Sequence, residues 1–218
     1  MMRLLKTDLF DEALTAGHQR CMCQRAGLVV GIDLSQAIVR EAARRCPSVS
    51  CLRADVRQLP FASDVFDAVV SLSTLDHFQT EGEVAESLRE LRRTLRPEGL
   101  LLLTMDNAAN PLVALRNALP FGLLNRLGLV PYYVGATYGP RRLQSLLAAN
   151  GFVVLETTAA MHCLRVLAVP LCRVFDRLAG EGAQNALLRF LMGNERLNQL
   201  PTRYTTGSFV AVLAKKLR

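Results

Sequence analysis

The chain has 218 residues, of which 50% are hydrophobic, enough to build the core of one α/β domain. Its formal net charge of +7 comes from scattered arginines, including the doublet Arg92 and Arg93, and no basic tail is present. Solvated helix faces and an anionic or membrane partner are both compatible with this charge. Aromatic residues make up 6% of the chain and no zinc-finger or RNP-type string occurs, so no nucleic-acid partner is expected.

The apolar segments are too interrupted to span a bilayer, since polar residues and proline break the longest of them at 111–130. The first twelve residues lack the apolar core of a secretory signal, so a cytoplasmic location is expected. Six cysteines are then most simply reduced thiols. Their spacing does not match the repeated C-x₂-C pairs of a structural zinc site, and we expect no metal.

Strand and helix patterns alternate through the first half of the chain. Asp11 is expected to cap a helix that Gly17 weakens, and Ser35 to cap the next one. The continuously apolar run at 28–33 is typical of a strand buried on both faces of a parallel sheet. Strands are predicted at 3–9, 28–33, 49–52, 66–72 and 99–104, with an amphipathic helix at 83–95.

The pattern changes after Thr104, where residues 107–139 form a leucine-rich insertion that is predicted to be a helical lid. Pro140 then opens a helix that ends at Gly151. Further strands are predicted at 152–158 and 208–216, with helical stretches at 164–178 and 183–197 between them. The whole chain, 1–218, is therefore predicted to be a single α/β domain with a doubly wound, mostly parallel seven-stranded sheet.

Acidic residues follow two successive strands of this predicted sheet. Asp33 ends the second strand and Asp55 follows the third, one helix and one strand later. A carboxylate accepts hydrogen bonds only, so it can take both vicinal hydroxyls of a ribose at once. The alternatives stay open that Asp33 caps the next helix and that Asp55 is a loop residue before a proline turn.

These strings, GIDLS, ADVRQLPF, FDAVVSLSTLDHF and RPEGLLLLT, resemble the class I S-adenosylmethionine-dependent methyltransferases. The resemblance is to the small-molecule type related to the ubiquinone and menaquinone biosynthesis methyltransferases. It implies S-adenosylmethionine as cofactor, with Asp33 on the ribose hydroxyls and Leu34 beside the adenine. It also implies that Asp55 accepts from the adenine amine and that the Val56 N–H meets a ring nitrogen.

The same resemblance places Ser71 near the methionine part of the cofactor, and Asp76 with His77 towards the acceptor. At an ordinary pKa of about 6.5, His77 could act as a general base on the acceptor. Polar packing of His77 is an equal alternative, because methyl transfer depends mainly on positioning and on excluding water.

The sequence departs from the family in the first motif, where an acid is followed by a glycine-rich turn. Aligning that acid on Asp8 puts Phe10, Glu12 and Leu14 at the glycine positions, where side chains should narrow the site. Either a different loop path makes room, with Asp8, Asp11 or Glu12 holding the cofactor's ammonium group, or the cofactor binds poorly.

The sequence thus predicts a methyltransferase for a small, hydrophobic acceptor, and the alternative is a non-catalytic relative that has lost cofactor binding. A nicotinamide-dependent oxidoreductase is disfavoured because its glycine fingerprint is absent. The leucines of the insertion suit a hydrophobic substrate or contact with a membrane surface, with Arg116 and Arg126 for an anionic group. An ordinary helical cap that buries its leucines is the competing interpretation, and oligomeric state is not specified.

Overall fold

The computed structural model describes residues 1–15, 17–126, 133–163, 172, 174–175 and 180–217. The strands are β1 (Arg3–Lys6), β2 (Leu28–Asp33), β3 (Ser50–Arg53), β4 (Phe66–Leu72), β5 (Leu95–Asp106), β6 (Phe152–Ala160) and β7 (Phe209–Lys216). The helices are α1 (Phe10–Leu14), α2 (Gln19–Arg25), α3 (Gln36–Arg45), α4 (Glu81–Thr94), α5 (Pro111–Ala118), α6 (Phe121–Arg126), α7 (Pro140–Ala149), α8 (Glu181–Gly193) and α9 (Arg203–Thr206). Single 3₁₀ segments cover Leu75–His77 and Asn194–Gln199.

The strands form one sheet in the order β3-β2-β1-β4-β5-β7-β6. Strands β1 to β5 pair in parallel, whereas β7 runs antiparallel to both β5 and β6. This confirms the predicted doubly wound, mostly parallel seven-stranded sheet. The order reverses between β1 and β4, and in such sheets the ligand crevice lies outside the carboxyl ends of the strands at this reversal.

Helices cover both faces of the sheet, and β1 shows how its alternating side chains serve both. Leu4 belongs to the core on the face covered by α3, together with Val39 and Ala42. Leu5 belongs to the opposite core, with residues of α4 and α7 such as Leu88. Both leucines are at most 5% exposed, because successive side chains of a strand point to opposite faces.

Strands β2 and β4 have the predicted bounds. The chain before β2 differs from the prediction. β1 ends at Lys6 and not at residue 9, and the helix expected to begin at Asp11 is two short helices. Gly17 lies between them with a positive φ of 48°, a left-handed conformation that favours glycine. Leu9, not Asp11, is the residue that precedes α1.

Other elements are displaced by a few residues. β3 begins one residue late, α4 begins at Glu81, and β5 extends from Leu95 to Asp106. Ser35 caps α3 as predicted, with its hydroxyl accepting from the Ile38 N–H. The predicted helical stretch at 164–178 falls largely outside the described residues. No helix in the described ranges has the length and apolar character needed to cross a membrane.

Thr80 and Glu83 close the amino terminus of α4 with a capping box. The Thr80 hydroxyl accepts from the Glu83 N–H at 3.2 Å, and the Glu83 carboxylate accepts from the Thr80 N–H at 3.1 Å. Two otherwise unpaired backbone donors are satisfied in this way. The cap also determines where α4 begins, directly after the turn that follows β4.

Replacing Thr80 with alanine should therefore lower the free energy of unfolding by about 1 kcal/mol, since one cap bond is lost. Urea denaturation measures the effect. Ser145→Ala, at an exposed position inside α7, is the matched control and should be nearly neutral. Equal stability of the two variants would contradict the role given to the cap.

Candidate functional site

The carboxyl ends of β1, β2 and β4 meet where the strand order reverses, and most of the predicted site residues lie here. β1 ends at Lys6, β2 at Asp33 and β4 at Leu72, followed by the 3₁₀ turn Leu75–His77. The end of β5, at Asp106, adjoins this turn through a hydrogen bond from the Asp106 N–H to Asp76. Polar groups from four strands therefore share one edge.

The most unusual feature of this edge is a buried lysine at the end of β1. The Lys6 side chain is fully buried, and its Nζ lies 2.8 Å from Glu12 Oε2, whose side chain is also fully buried. Nζ also donates to the Asp8 carbonyl at 2.7 Å and lies 3.3 Å from the Asp8 carboxylate. Burial lowers the pKa of Lys6, but the charges of Asp8 and Glu12 outweigh this and raise it. Lys6 is therefore charged and completely paired.

The Lys6–Glu12 pair determines the path of the turn in which the sequence lacks glycines. Glu12 Oε1 accepts from the His18 N–H, so the carboxylate joins β1 to the start of α2. A side chain at Gly17 would collide with this carboxylate. Of the positions aligned with the family's glycines, Glu12 points inward, while Phe10 and Leu14 are exposed on α1.

Asp8, aligned with the acid of the first motif, lies two residues beyond the end of β1. Its Oδ1 accepts from the Phe10 N–H at 3.3 Å. Burial raises the pKa of the Asp8 carboxyl, and the charge of Lys6 acts in the opposite direction. The strand-end position itself belongs to Lys6.

Asp33 is placed at the end of β2 next to this turn. Its Oδ2 accepts from the Leu9 N–H at 3.2 Å, and its Oδ1 accepts from the Ser35 N–H at 2.8 Å. A carboxylate has about four acceptor sites, so these two bonds leave capacity for two further donors. Leu34, the next residue, is 60% exposed and available for contact with a flat ligand.

Asp55 is held by an arginine two residues later. Arg57 donates to both carboxylate oxygens, at 2.7 Å through Nη2, and its backbone N–H donates to Oδ1 at 2.9 Å. The Arg57 hydrogen bonds lower the pKa of Asp55. Arg57 also reaches Glu83 and stacks on the Phe78 ring, with 5.0 Å to its centroid. Asp55 therefore belongs to a rigid ion-pair turn.

Val56 and Ser71, two further predicted residues, are both buried. Val56 belongs to the core and is 5% exposed. Ser71 is fully buried and its hydroxyl accepts from Thr7 at 2.9 Å. The Thr7 hydroxyl also lies 2.8 Å from that of Thr74. Thr7 thus ties the end of β1 to the turn after β4.

Two more carboxylates, Asp76 and Asp106, lie at the ends of β4 and β5 and are 1% and 2% exposed. Asp76 Oδ2 accepts from the Ser73 hydroxyl at 2.7 Å and from the Asp106 N–H at 3.2 Å. The Asp106 carboxylate accepts from Arg116 of α5 at 2.5 Å. Burial raises the pKa of Asp76, and the charge of Asp106 raises it further.

His77 is exposed beside this pair. Its Nδ1 lies 3.0 Å from the Tyr133 carbonyl oxygen, which can only accept, so the contact requires the hydrogen on Nδ1. In the neutral imidazole, Nε2 is then the basic nitrogen.

The insertion returns to the sheet across this same turn. The Gly135 N–H donates to the Asp76 carbonyl and the Ala136 N–H to the Phe78 carbonyl, each at 2.7 Å. A side chain at Gly135 would collide with the Phe78 carbonyl. We call residues 133–139 the returning segment.

The rest of the described insertion exposes apolar side chains. Four leucines are between 42% and 59% exposed, namely Leu112, Leu115, Leu119 and Leu123. Leu124, in contrast, is buried, as expected if the insertion is an ordinary helical cap. The other four leucines are exposed and do not fit that interpretation. Residues 127–132 lie outside the described part of the chain.

A cavity of about 580 Å³ lies away from all of these residues. Its lining includes Asp64 before β4, Gly151 before β6 and Lys216 at the end of β7. These positions belong to the opposite edge of the sheet. The cavity therefore does not coincide with the carboxyl-edge site.

Sequence reasoning missed Lys6 and Arg57 as determinants of the site, and it considered Glu12 for the cofactor's ammonium group, whereas Glu12 pairs with Lys6. A lysine at the end of an apolar strand, followed six residues later by an acid, was the available signal for the buried pair. The D-x-R spacing of Asp55 and Arg57 was the signal for the second ion pair, between these two residues.

Residues 13–103 match the family whose model is described as a methyltransferase domain. A tRNA (carboxymethyluridine(34)-5-O)-methyltransferase of Arabidopsis thaliana is 30% identical over 35% of this chain and 18% of its own length. A phthiotriol/phenolphthiotriol dimycocerosates methyltransferase of Mycobacterium ulcerans is 28% identical over 76% of this chain and 54% of its own length. The chain thus spans about half or less of these two relatives.

Among solved structures, a candidate sarcosine dimethylglycine methyltransferase of Galdieria sulphuraria superposes with a TM-score of 0.64. The match covers 99% of this chain and 78% of that one at 13% identity. At this identity the likeness concerns the fold.

Removing the Lys6 charge should destabilise the protein strongly. Lys6→Met leaves Glu12 buried without its cation, and such a loss typically costs about 3–5 kcal/mol in the free energy of unfolding. The double variant Lys6→Met with Glu12→Gln should recover much of this loss, because no uncompensated charge stays buried. Urea denaturation of the two variants and of Glu12→Gln completes a double-mutant cycle. A loss below about 1 kcal/mol in Lys6→Met would contradict the importance of the buried ion pair.

The raised pKa of Asp76 predicts that Asp76→Asn weakens the pH dependence of the free energy of unfolding. In the window between the unfolded and folded pKa values the native state binds more protons, so the wild type loses stability as the pH rises through it. Asp76→Asn should lose less stability as the pH rises from about 4, the ordinary pKa of an aspartate, measured by urea denaturation.

Asp67→Asn is the matched control, because hydrogen bonding by the Arg3 N–H and the charge of Arg96 lower the pKa of Asp67. This variant should be less stable than the wild type at neutral pH. The prediction for Asp76 fails if both variants shift the pH dependence in the same direction.

Proposed function

We propose that this chain is a class I S-adenosylmethionine-dependent methyltransferase and transfers a methyl group from that cofactor to a small hydrophobic acceptor. The observation that carries the proposal is the position of Asp33. It ends β2 beside the reversal of strand order, with two acceptor sites left on its carboxylate. A nucleoside needs such a group for its ribose hydroxyls.

The residues of the carboxyl edge fit the adenosine part of the cofactor. Asp33 would hold the ribose and Leu34 would contact the adenine. Asp55 would accept from the adenine amine by exchanging one of its Arg57 bonds. The buried Val56 would direct its backbone N–H towards a ring nitrogen.

The methionine part would lie against the turn at the end of β1. Asp8 is the carboxylate there that can pair with the cofactor's ammonium group, and Ser71 supports the turn from behind through Thr7. The buried Lys6–Glu12 pair replaces glycine flexibility with a rigid path. When bound, the cofactor supplies an electrophilic methyl group on a positively charged sulfur.

His77 would serve the acceptor as a general base. Its Nδ1 contact with Tyr133 orients the ring and makes Nε2 the basic nitrogen. Because the ring is anchored to the returning segment, closure of the insertion and placement of the base would be one event.

The insertion, 107–139, is proposed as the lid over a hydrophobic acceptor. The four exposed leucines of α5, α6 and their connection support this, since an apolar surface of this kind is typical of a binding site. The name of the mycobacterial relative, a methyltransferase of phthiotriol and phenolphthiotriol dimycocerosates, is consistent with it. Contact of the same surface with a membrane and a cytoplasmic location stay predictions.

Asp33→Ala should weaken binding of S-adenosylmethionine at least tenfold, because charge-assisted hydrogen bonds to two hydroxyls are lost. Isothermal titration calorimetry measures the affinity, and melting temperatures show that the fold is retained. Asp67→Ala, at the opposite edge of the sheet, is the control and should bind normally. Undetectable binding by the wild type would favour the non-catalytic alternative.

Methyl transfer itself can be followed with cofactor that carries a tritiated methyl group. Incubation with a lipid extract should move label into the organic phase in the wild type and not in Asp33→Ala. Bulk tRNA is the parallel arm, since the Arabidopsis relative is named as a tRNA methyltransferase. Label in tRNA alone would replace the hydrophobic acceptor with a nucleic acid.

A further inference from the structure

The carboxylates of Asp76 and Asp106 form a buried pair that lacks one partner. Both residues are at most 2% exposed, and Asp106 is neutralised by Arg116 at 2.5 Å. The hydrogen bonds to Asp76 come from the uncharged Ser73 hydroxyl and a backbone N–H. One negative charge is left over when both carboxyls are ionised.

The two oxygens of Asp76 differ sharply. Oδ2 accepts two hydrogen bonds, whereas Oδ1 is buried and has no hydrogen-bond partner among the described residues. A buried acceptor without a donor costs about 1–3 kcal/mol. Since an asparagine could satisfy the same two donors without the charge, the carboxylate is not explained by the packing of the turn.

The turn that carries Asp76 adjoins the strand ends to which the cofactor is assigned above. Asp76 follows β4, while Asp33 ends β2, with β1 between them. Thr7 at the end of β1 bonds to Thr74, two residues before Asp76. The returning segment lies against the same turn through the Gly135 N–H.

We propose that Asp76 binds the amino group of the methyl acceptor, so that the substrate of this enzyme is an amine. The proposal rests on the proposed function and names the atom that is methylated. An ammonium group supplies both things that the site lacks, a donor for Oδ1 and one positive charge. A hydroxyl would supply the donor but leave the charge uncompensated.

The environment of Asp76 also suits the proton that methylation releases. For an amine acceptor the proton goes to Asp76 in place of His77. The bound ammonium group first gives one proton to Asp76, the freed nitrogen lone pair then forms the N–C bond, and the C–S bond breaks with its electron pair left on sulfur. Burial and the neighbouring Asp106 raise the pKa of Asp76, while the charge of His77 lowers it. A carboxylate with a raised pKa accepts a proton more readily near neutral pH.

The test uses two cofactor analogues that differ at the methyl position. Sinefungin carries an amine where the methyl group would be, and S-adenosylhomocysteine carries nothing there. The wild type should bind sinefungin about tenfold or more tightly than S-adenosylhomocysteine in calorimetry, because a charge-assisted pair is added. In Asp76→Asn this ratio should collapse to about threefold or less, with the affinity for S-adenosylhomocysteine retained.

Asp67→Asn is the matched control and should keep the wild-type ratio. An unchanged ratio in Asp76→Asn would overturn the inference and leave the proposed function intact. Failure of the wild type to bind either analogue would overturn both.

If Asp76→Asn does not fold, a crystal structure of the wild type with sinefungin decides the matter. The amine nitrogen should lie within about 3.2 Å of Asp76 Oδ1. An amine held by other groups, with Asp76 Oδ1 still unpartnered, would overturn the inference.

Discussion

A buried ion pair between Lys6 and Glu12 is the interaction on which the carboxyl edge of the sheet depends. Removing two charges from water is costly, and this pair is stable because Nζ also reaches both the carbonyl and the carboxylate of Asp8. With α1 held in this way, the Leu9 N–H donates to Asp33. The turn after β1 is therefore linked by a hydrogen bond to Asp33, the candidate for binding the ribose, although the turn lacks glycines.

Four carboxylates at this edge differ because each has a different partner. Asp55 is bound by Arg57 and Asp106 by Arg116, so their charges are internally compensated. Asp33 accepts from two backbone N–H groups and keeps acceptor capacity, while Asp76 has one oxygen without a hydrogen-bond partner among the described residues. The residual capacity for ligands therefore lies on both sides of β1, which is the arrangement that a cofactor and an acceptor side by side would require.

The accuracy of the sequence predictions follows how locally each element is specified. β2 and β4 were predicted exactly, because continuous apolar runs bounded by polar residues leave little freedom in a parallel sheet. The end of β1 and the helix after it were predicted wrongly, because KTDLFDE is compatible with a strand or a helix on local preference alone. The choice depends on the contact of Lys6 with Glu12 and on the positive φ of Gly17, which local preferences do not specify.

The sequence by itself determined the seven-stranded α/β architecture, the acids at the end of β2 and after β3, and the resemblance to methyltransferases. These features depend on hydrophobic periodicity and short motifs, which are local. Only the tertiary structure decided which carboxylates are paired, that the lysine at the end of β1 is buried, and that Arg116 pairs with Asp106 next to Asp76. Those outcomes depend on charges brought together from distant parts of the chain, since the free energy of a buried charge depends on its neighbours in space and not on its neighbours in sequence.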